Sequence, residues 1–308
     1  EAAVSEINSL SQGLAQLNQS IAIAVGAGAG DQPNALLDER DEALKQLSKY
    51  VTVSVFPEGN SGQLNVFIGN GQPLVLGNSA AQMKAVASPT DSNQKEIALQ
   101  VSGVSSIISN ELSGGKIGGL LEFRNNDLSN AINSLGRIAL VLADTINQQH
   151  SLGMDLESNL GGAFFVDIND TEIAKSRVVA NSLNLQPKDH QIQINIVDSS
   201  DLTASDYQLR FEGPRDEDFI IVRSSDGNTV LKSMLPGIFP ANVEVDGFQV
   251  QFDAGSFKVG DRFTIKPTKT GASDIGLVID RVENIAFAAP IRANTHEGNT
   301  GSGTVSLG

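Results

Sequence analysis

Residues able to do chemistry are few in this sequence and stand apart from one another. The histidines are His150, His190 and His296, each without a second histidine at ligand spacing, and cysteine is absent. That excludes disulfides and thiolate chemistry and leaves no zinc pattern, so the imidazoles read as solvated or helix-end side chains. Asp167-Ile168-Asn169-Asp170 begins like a calcium loop. Glu172, however, stands where an EF-hand needs glycine and no bidentate glutamate closes the loop, so a polar turn is expected. The glycines between Gly26 and Gly30 follow a helical pattern and lack the G-x-G-x-x-G spacing, so they mark a flexible break rather than a dinucleotide loop. Acidic clusters at Asp38–Glu42 and Asp216–Asp218 enclose or adjoin Arg40 and Arg215 and read as solvated, partly paired faces. No G-x-S-x-G elbow and no G-x-x-x-x-G-K loop is present. The expectation is therefore no enzyme, no cofactor and no metal.

Composition narrows the class further. A chain of 308 residues is long enough for two or three domains. With 36 acidic against 21 basic residues the formal charge is −15, which argues against a nucleic-acid or anionic-membrane surface. No apolar run reaches the length of a membrane span. Absence of cysteine suits a protein exported unfolded. Glu1 stands inside a heptad pattern with no initiator Met or secretory h-region, and Gly298 to Gly308 is Gly/Ser/Thr-rich. Both ends are expected to be trimmed, and the isolated chain to be monomeric.

The elements that dominate the chain are helical. Gly119 to His150 carries Leu121, Leu128, Ile132, Leu135, Ala139, Leu142 and Ile146 at helical spacing, which predicts one helix roughly 45 Å long. Ala3, Ile7, Leu10, Leu14, Leu17, Ile21 and Ala24 alternate steps of four and three, a coiled-coil seam with Ser, Asn and Gln expected outside it. These two stripes are the candidate structural residues, serving either as intramolecular core or as subunit contacts. A shorter helix is expected over Asn34 to Lys49, capped by Asn34, with Leu37, Leu44 and Leu47 on its apolar edge.

Elsewhere the period is two. Val51, Val53 and Val55, then Leu64, Val66 and Ile68, then Leu74-Val75-Leu76, and Ile97, Leu99 and Val101 read as strands, with Asn70-Gly71 as a hairpin turn. After Phe164-Phe165, strands are expected at Gln191–Val197, Tyr207–Phe211, Phe219–Arg223, Val243–Val245, Phe248–Phe252 and Arg262–Lys266. Asp226-Gly227 and Asp246-Gly247 would turn between them. Ile275, Val278, Val282 and Ile285 predict a late helix over about 272–289, stopped by Pro290. The fold class is multidomain α + β: a long-helix, coiled-coil-like rod domain with a small β subdomain, followed by an antiparallel β-rich domain. The expected division is 1–50 and 113–165 for the rod, 51–112 for the β subdomain and 166–308 for the outer domain.

Taken in order, three motifs carry a resemblance: Leu36-Leu37-Asp38-Glu39-Arg40-Asp41, Asn65-Val66-Phe67-Ile68-Gly69-Asn70-Gly71, and Gly114-Gly115-Lys116-Ile117-Gly118-Gly119-Leu120-Leu121-Glu122-Phe123-Arg124. With Leu135-Gly136-Arg137, Ala143-Asp144-Thr145-Ile146-Asn147 and His150, Asn159-Leu160-Gly161-Gly162 before Phe164-Phe165, and Gly260-Asp261-Arg262-Phe263 with Pro267-Thr268, the chain resembles the flagellar hook-associated protein 1 family. The resemblance implies a structural protein at the junction of the bacterial flagellar hook and filament, exported through the flagellar type III channel. The partners it implies are further copies of itself in a ring, the hook protein, the second hook-associated protein, and a cytoplasmic export chaperone binding the missing C-terminus. It brings no catalytic residues, nucleic acid or membrane. The rival readings are a secreted adhesin or other binding module using the β-rich domain from about Gln191 to Pro267, and a hydrolase using paired carboxylates. Against the first, Phe211, Phe219, Phe248, Phe252 and Phe263 alternate as core residues do.

Overall fold

The computed structural model describes residues 1–27, 32–59, 61–89, 94–101, 103–289 and 301. His296, Pro290, Gly28, Gly30 and most of the Gly298–Gly308 run lie outside the described residues. Contacts divide the chain into one unit from Glu1 to Ser129 and a second from Asn130 to Gly308. The segment expected as the second part of the rod, 113–165, is thereby shared between them.

The first unit is built on helix α1 (Ala2–Ala27). Ile7, Leu14 and Ile21 of its seam are fully buried, while Leu10 and Leu17 are half-buried. Helix α2 (Asn34–Ser48) packs beside it through Leu47. Pro33, not Asn34, precedes α2 and accepts the amides of Leu36 and Leu37, so Asn34 is not the cap. Proline's preset φ starts the helix without a side-chain bond.

Two antiparallel sheets complete the core of this unit. The first has strands β1 (Val53–Glu58), β2 (Gln63–Ile68), β3 (Gln72–Leu76) and β4 (Ser79–Ala80) in that order, with the Asn70-Gly71 turn between β2 and β3. The second has β5 (Gln82–Ala87), β6 (Lys95–Val101) and β7 (Val104–Ile107). Strand β5 (QMKAVA) carries a single fully buried apolar side chain, Met83, so its period was not legible in the sequence.

Ser, Asn and Gln are expected outside the seam of α1. Ser5, Ser9, Gln12, Gln16, Gln19 and Ser20 are exposed, but Ser11 and Asn18 are buried and Asn8 half-buried, which corrects the expectation at these three. Asn18 Nδ2 donates to the Leu64 and Gly77 carbonyls, both at 2.7 Å, and its Oδ1 accepts from Leu64 N. Asn8 makes the same two-way pair with the main chain of Met83. Each amide stands in for the edge of a neighbouring strand, so α1 lies flush on both sheets without stranding buried polar groups.

Chain order then runs through α3 (Gly115–Glu122), a π-helical stretch (Phe123–Leu128) and α4 (Ser129–Ser151), in place of the single α-helix expected from Gly119. Ser129 Oγ, donating to Arg124 O, follows the wider π spacing, and Arg124 is tied to Lys95 O and to Glu96 of β6.

In the second unit, α4 is followed by α5 (Thr171–Ser176) and strand β8 (Val178–Ala180). Strands β9 (Gln191–Ile196), β10 (Tyr207–Phe211), β11 (Asp218–Arg223), β12 (Thr229–Met234), β13 (Ala241–Val245), β14 (Phe248–Ala254) and β15 (Arg262–Ile265) follow. They form a five-stranded sheet, β12-β11-β10-β15-β8, and a three-stranded sheet, β13-β14-β9, all antiparallel. Alternate residues of both sheets meet in one core with Leu140 of α4. Phe211 stacks on Phe257 with centroids 4.8 Å apart, and burying each such ring contributes about 1.5–3 kcal/mol. Asp246 and Gly247, at φ 44° and 81°, make the β13–β14 turn, the left-handed pair that a two-residue hairpin demands.

The late helix expected over about 272–289 does not form. Only α6 (Gly271–Asp274) and a short 3₁₀ turn at Val282–Asn284 are helical. Gly276 O accepts from Val166 N, Val278 N donates to Phe164 O, and Met154 and Ala288 exchange both main-chain bonds. These pairings use the groups a helix would need, and tertiary contacts override the local period.

Replacing Asn18 by Ala strands the Leu64 amide and two carbonyls. The expected outcome is a loss of about 1–3 kcal/mol in urea unfolding, and an unchanged midpoint would contradict the pinning role.

Candidate assembly surface

The edge of α4 turned to the interior is not the apolar one. Its buried residues are Asn133, Gly136, Leu140, Ala143 and His150. Gly136 lets the Thr268 carbonyl approach so closely that a Cβ built there would stand 1.7 Å from that oxygen. Asn133 Nδ2 donates to Asp206 at 3.0 Å, and Asp144 accepts from Ser199 Oγ at 2.6 Å. Asn147 Oδ1 takes the amides of both Phe164 and Phe165, and its Nδ2 donates to Phe165 O.

His150 is buried at the end of α4 and is not solvated. Nδ1 lies 2.8 Å from Gly162 O, and Nε2 accepts from the Ala286 amide at 2.8 Å. A carbonyl on one nitrogen and an amide donor on the other require the neutral tautomer protonated at Nδ1. Phe164 and Phe287 close on the ring edge-to-face. His190 is likewise buried, with Nε2 3.2 Å from Asp261 Oδ2. Asp261 also accepts from Leu185 N and Lys258 N, which explains the Asp of the Gly260-Asp261-Arg262-Phe263 run.

The charged groups are spent in the same structural way. Arg177 is buried and donates to Ile194 O and Ile168 O. Its burial, partly offset by Asp274 and Asp167, lowers the guanidinium pKa to about 10. Tyr207 donates to Asp246, which Arg223 also grips, and burial together with that carboxylate pushes the phenol up to about 12. Asp170 caps α5 by accepting from Glu172 N and Ile173 N, and the Asn169 amide pairs with Ile196, so Asp167–Asp170 is the polar turn expected. Among the described residues, no group of three or more His, Cys, Asp or Glu is placed to hold a metal. No described helix is long and apolar enough to cross a membrane.

With these residues inside, the apolar stripe of α4 is left outside. Ile132, Leu135 and Leu142 are exposed, Leu135 by 59%, and Ile138 by 65%, while Ala139 and Ile146 are half-buried. The interior edge thus lies one residue further round the helix than the expected stripe. In the first unit, Leu121 is half-buried and Leu128 exposed, as are Leu120 and Phe123. A row of large aliphatic side chains facing water over successive turns is an unmet helix-packing surface. Hydrophobic periodicity found the row; nothing in it told which edge was interior.

Replacing Gly136 by Ala forces α4 off the Thr268 turn. A loss of about 1–3 kcal/mol is expected in denaturant titration; a variant as stable as the parent would show the contact to be loose.

Comparison with known proteins gives two family matches along the chain. A family model described as the flagellar hook-associated protein FlgK helical domain matches residues 1–165. A second, the D2-like domain of flagellar hook-associated protein 1, matches residues 179–267. Flagellar hook-associated protein 1 of Salmonella typhimurium is 34% identical over 288 residues, covering 93% of this chain and 49% of the relative. That of Escherichia coli is 31% identical over 308 residues, covering 99% and 53%. The solved structure of the flagellar hook junction protein FlgK from Burkholderia pseudomallei superposes with a TM-score of 0.81 at 32% identity, over 94% of this chain and 50% of that one. The chain spans about half the length of the curated relatives it matches.

Proposed function

Because the chain belongs to the flagellar hook-associated protein 1 family, we propose that it is part of a structural subunit of the bacterial flagellum, one of a ring of copies joining hook to filament. The observation that carries this reading is the exposed aliphatic edge of α4, Ile132, Leu135, Ile138 and Leu142. Large apolar side chains on one helix edge are stabilised by a second helix, and a chain whose work is assembly has reason to keep such an edge outward. On this reading residues 1–50 and 113–165 serve as the rod, 51–112 as its β subdomain and 166–308 as an outer domain. The hook protein, the second hook-associated protein and further copies are its neighbours, and a cytoplasmic chaperone escorts it to the type III export channel. Its place is then outside the cell, in the flagellum, and its work is mechanical, without catalysis.

The adhesin alternative asked for exposed aromatics on the β-rich domain. Phe211, Phe219, Phe248, Phe252 and Phe263 are all buried in its core, which withdraws that support.

The test uses the full-length protein with Leu135→Glu and Ile138→Glu together. Both positions are exposed, so stability should hold within about 0.5 kcal/mol. Co-sedimentation with hook–basal bodies should be lost, and cells carrying the variant should shed flagellin unpolymerised. Normal filaments on those cells would overturn the proposed use of this face.

A further inference from the structure

Arg177 stands at the end of α5 with only 1% of its surface exposed. A charge taken out of water needs an acceptor for each inward-facing hydrogen, or its desolvation is not offset. Nη1 donates to Ile194 O at 3.0 Å and Nη2 to Ile168 O at 2.6 Å. The Nε–H is buried too, and it meets no acceptor among the described residues. Asp274 and, less strongly, Asp167 lie near enough for their charge to favour the guanidinium ion against its burial. Yet neither carboxylate makes a hydrogen bond or salt bridge with Arg177 among the described residues. Opposite charges that feel each other without touching are spaced as one bridging molecule would space them.

Arg177, Asp167 and Asp274 line a pocket of about 10 Å³ with Ala139 and Ala143 of α4. That is the room a single water molecule takes, and too little for a larger ligand. A pocket with apolar walls alone would stay dry, but this one brings a charged donor and two carboxylates together, enough for the two to four bonds a buried water makes. An anion here would meet both carboxylates, and a cation would meet the guanidinium. The pocket therefore selects a neutral molecule that both accepts and donates. Asp167 Oδ1 already accepts from Asn169 N, and Asp274 Oδ1 from Ser273 Oγ, which leaves Oδ2 of each to receive a further hydrogen bond. We propose that this pocket binds one ordered water molecule, which accepts from the Arg177 Nε–H and donates to the Asp274 and Asp167 carboxylates. The water is then the polar link between Arg177 and α6, placed where the chain leaves Asp274 for the extended 275–288 stretch.

The experiment follows the assigned Arg177 Nε–H signal of the ¹⁵N-labelled 308-residue chain in NOESY and ROESY spectra. A cross-peak to water that changes sign between the two is expected, the mark of a dipolar contact with a long-lived water rather than of proton exchange. Asp274→Ala removes one acceptor and should cut that cross-peak at least severalfold, whereas Asp274→Asn keeps an oxygen there and should retain it. Sodium bromide added to the unaltered chain should leave the signal in place. Absence of the water cross-peak on the unaltered chain, a cross-peak of exchange sign alone, or equal peaks in the Asp274→Ala and Asp274→Asn variants would overturn the proposal. A saturable bromide shift would also overturn it, by showing an anion site instead.

Discussion

Asn147 and His150 each hold main-chain groups of segments with little regular structure of their own. Asn147 makes three such bonds with Phe164 and Phe165, and His150 bonds Gly162 on one side and, 136 positions further along the sequence from itself, Ala286 on the other. The stretches on either side, 153–166 and 275–288, pair with each other through Met154 with Ala288 and Phe165 with Leu277. Without the two side chains on α4, those strips would leave the buried Ala286 amide unmet, at about 1–3 kcal/mol, together with partly buried groups of Phe164 and Phe165. The interior edge of α4 therefore carries small and polar residues, Asn133, Gly136, Ala143 and His150, beside Leu140. Gly136 admits the Thr268 carbonyl and Asn133 reaches Asp206, and that choice decides what the opposite edge presents.

The first unit solves a related problem with the same chemistry. A helix laid on two small sheets must satisfy strand edges as well as bury apolar surface. On α1, Ile7, Leu14 and Ile21 do the burying, and Asn8 and Asn18 do the pairing. In both units a helix that reads as a coiled-coil partner contributes amides to main-chain recognition. The apolar seam of α1 is used up within its own unit, whereas much of that of α4 faces outward. This difference is why the proposed assembly role is placed on α4 rather than on α1.

Much of the fold is legible in the residues. Strict alternation at Gln191–Ile196, Tyr207–Phe211 and Phe248–Ala254 places their apolar residues on one face, and both Asp-Gly turns fall between strands. Strands with weak alternation, β5 and β8 among them, escape such a reading. The motifs Ala143–Asn147 with His150, and Gly260–Phe263, are visible as letters. Their use in gripping main chain is not, because the partners lie up to 136 residues away and a side-chain amide carries no mark of what it will bond.

The sequence by itself determined the periods: helix where apolar residues step by three and four, strand where they alternate, turn where glycine follows Asn or Asp. It also determined the absence of thiol chemistry, since there is no cysteine to supply it. Only the tertiary structure decided which edge of α4 is interior and that 275–288 is extended rather than helical. The physical reason is the same for both. Periodicity fixes where side chains point relative to one another along a segment, whereas facing inward depends on unpaired main-chain groups elsewhere in the chain, which a stretch read alone does not contain.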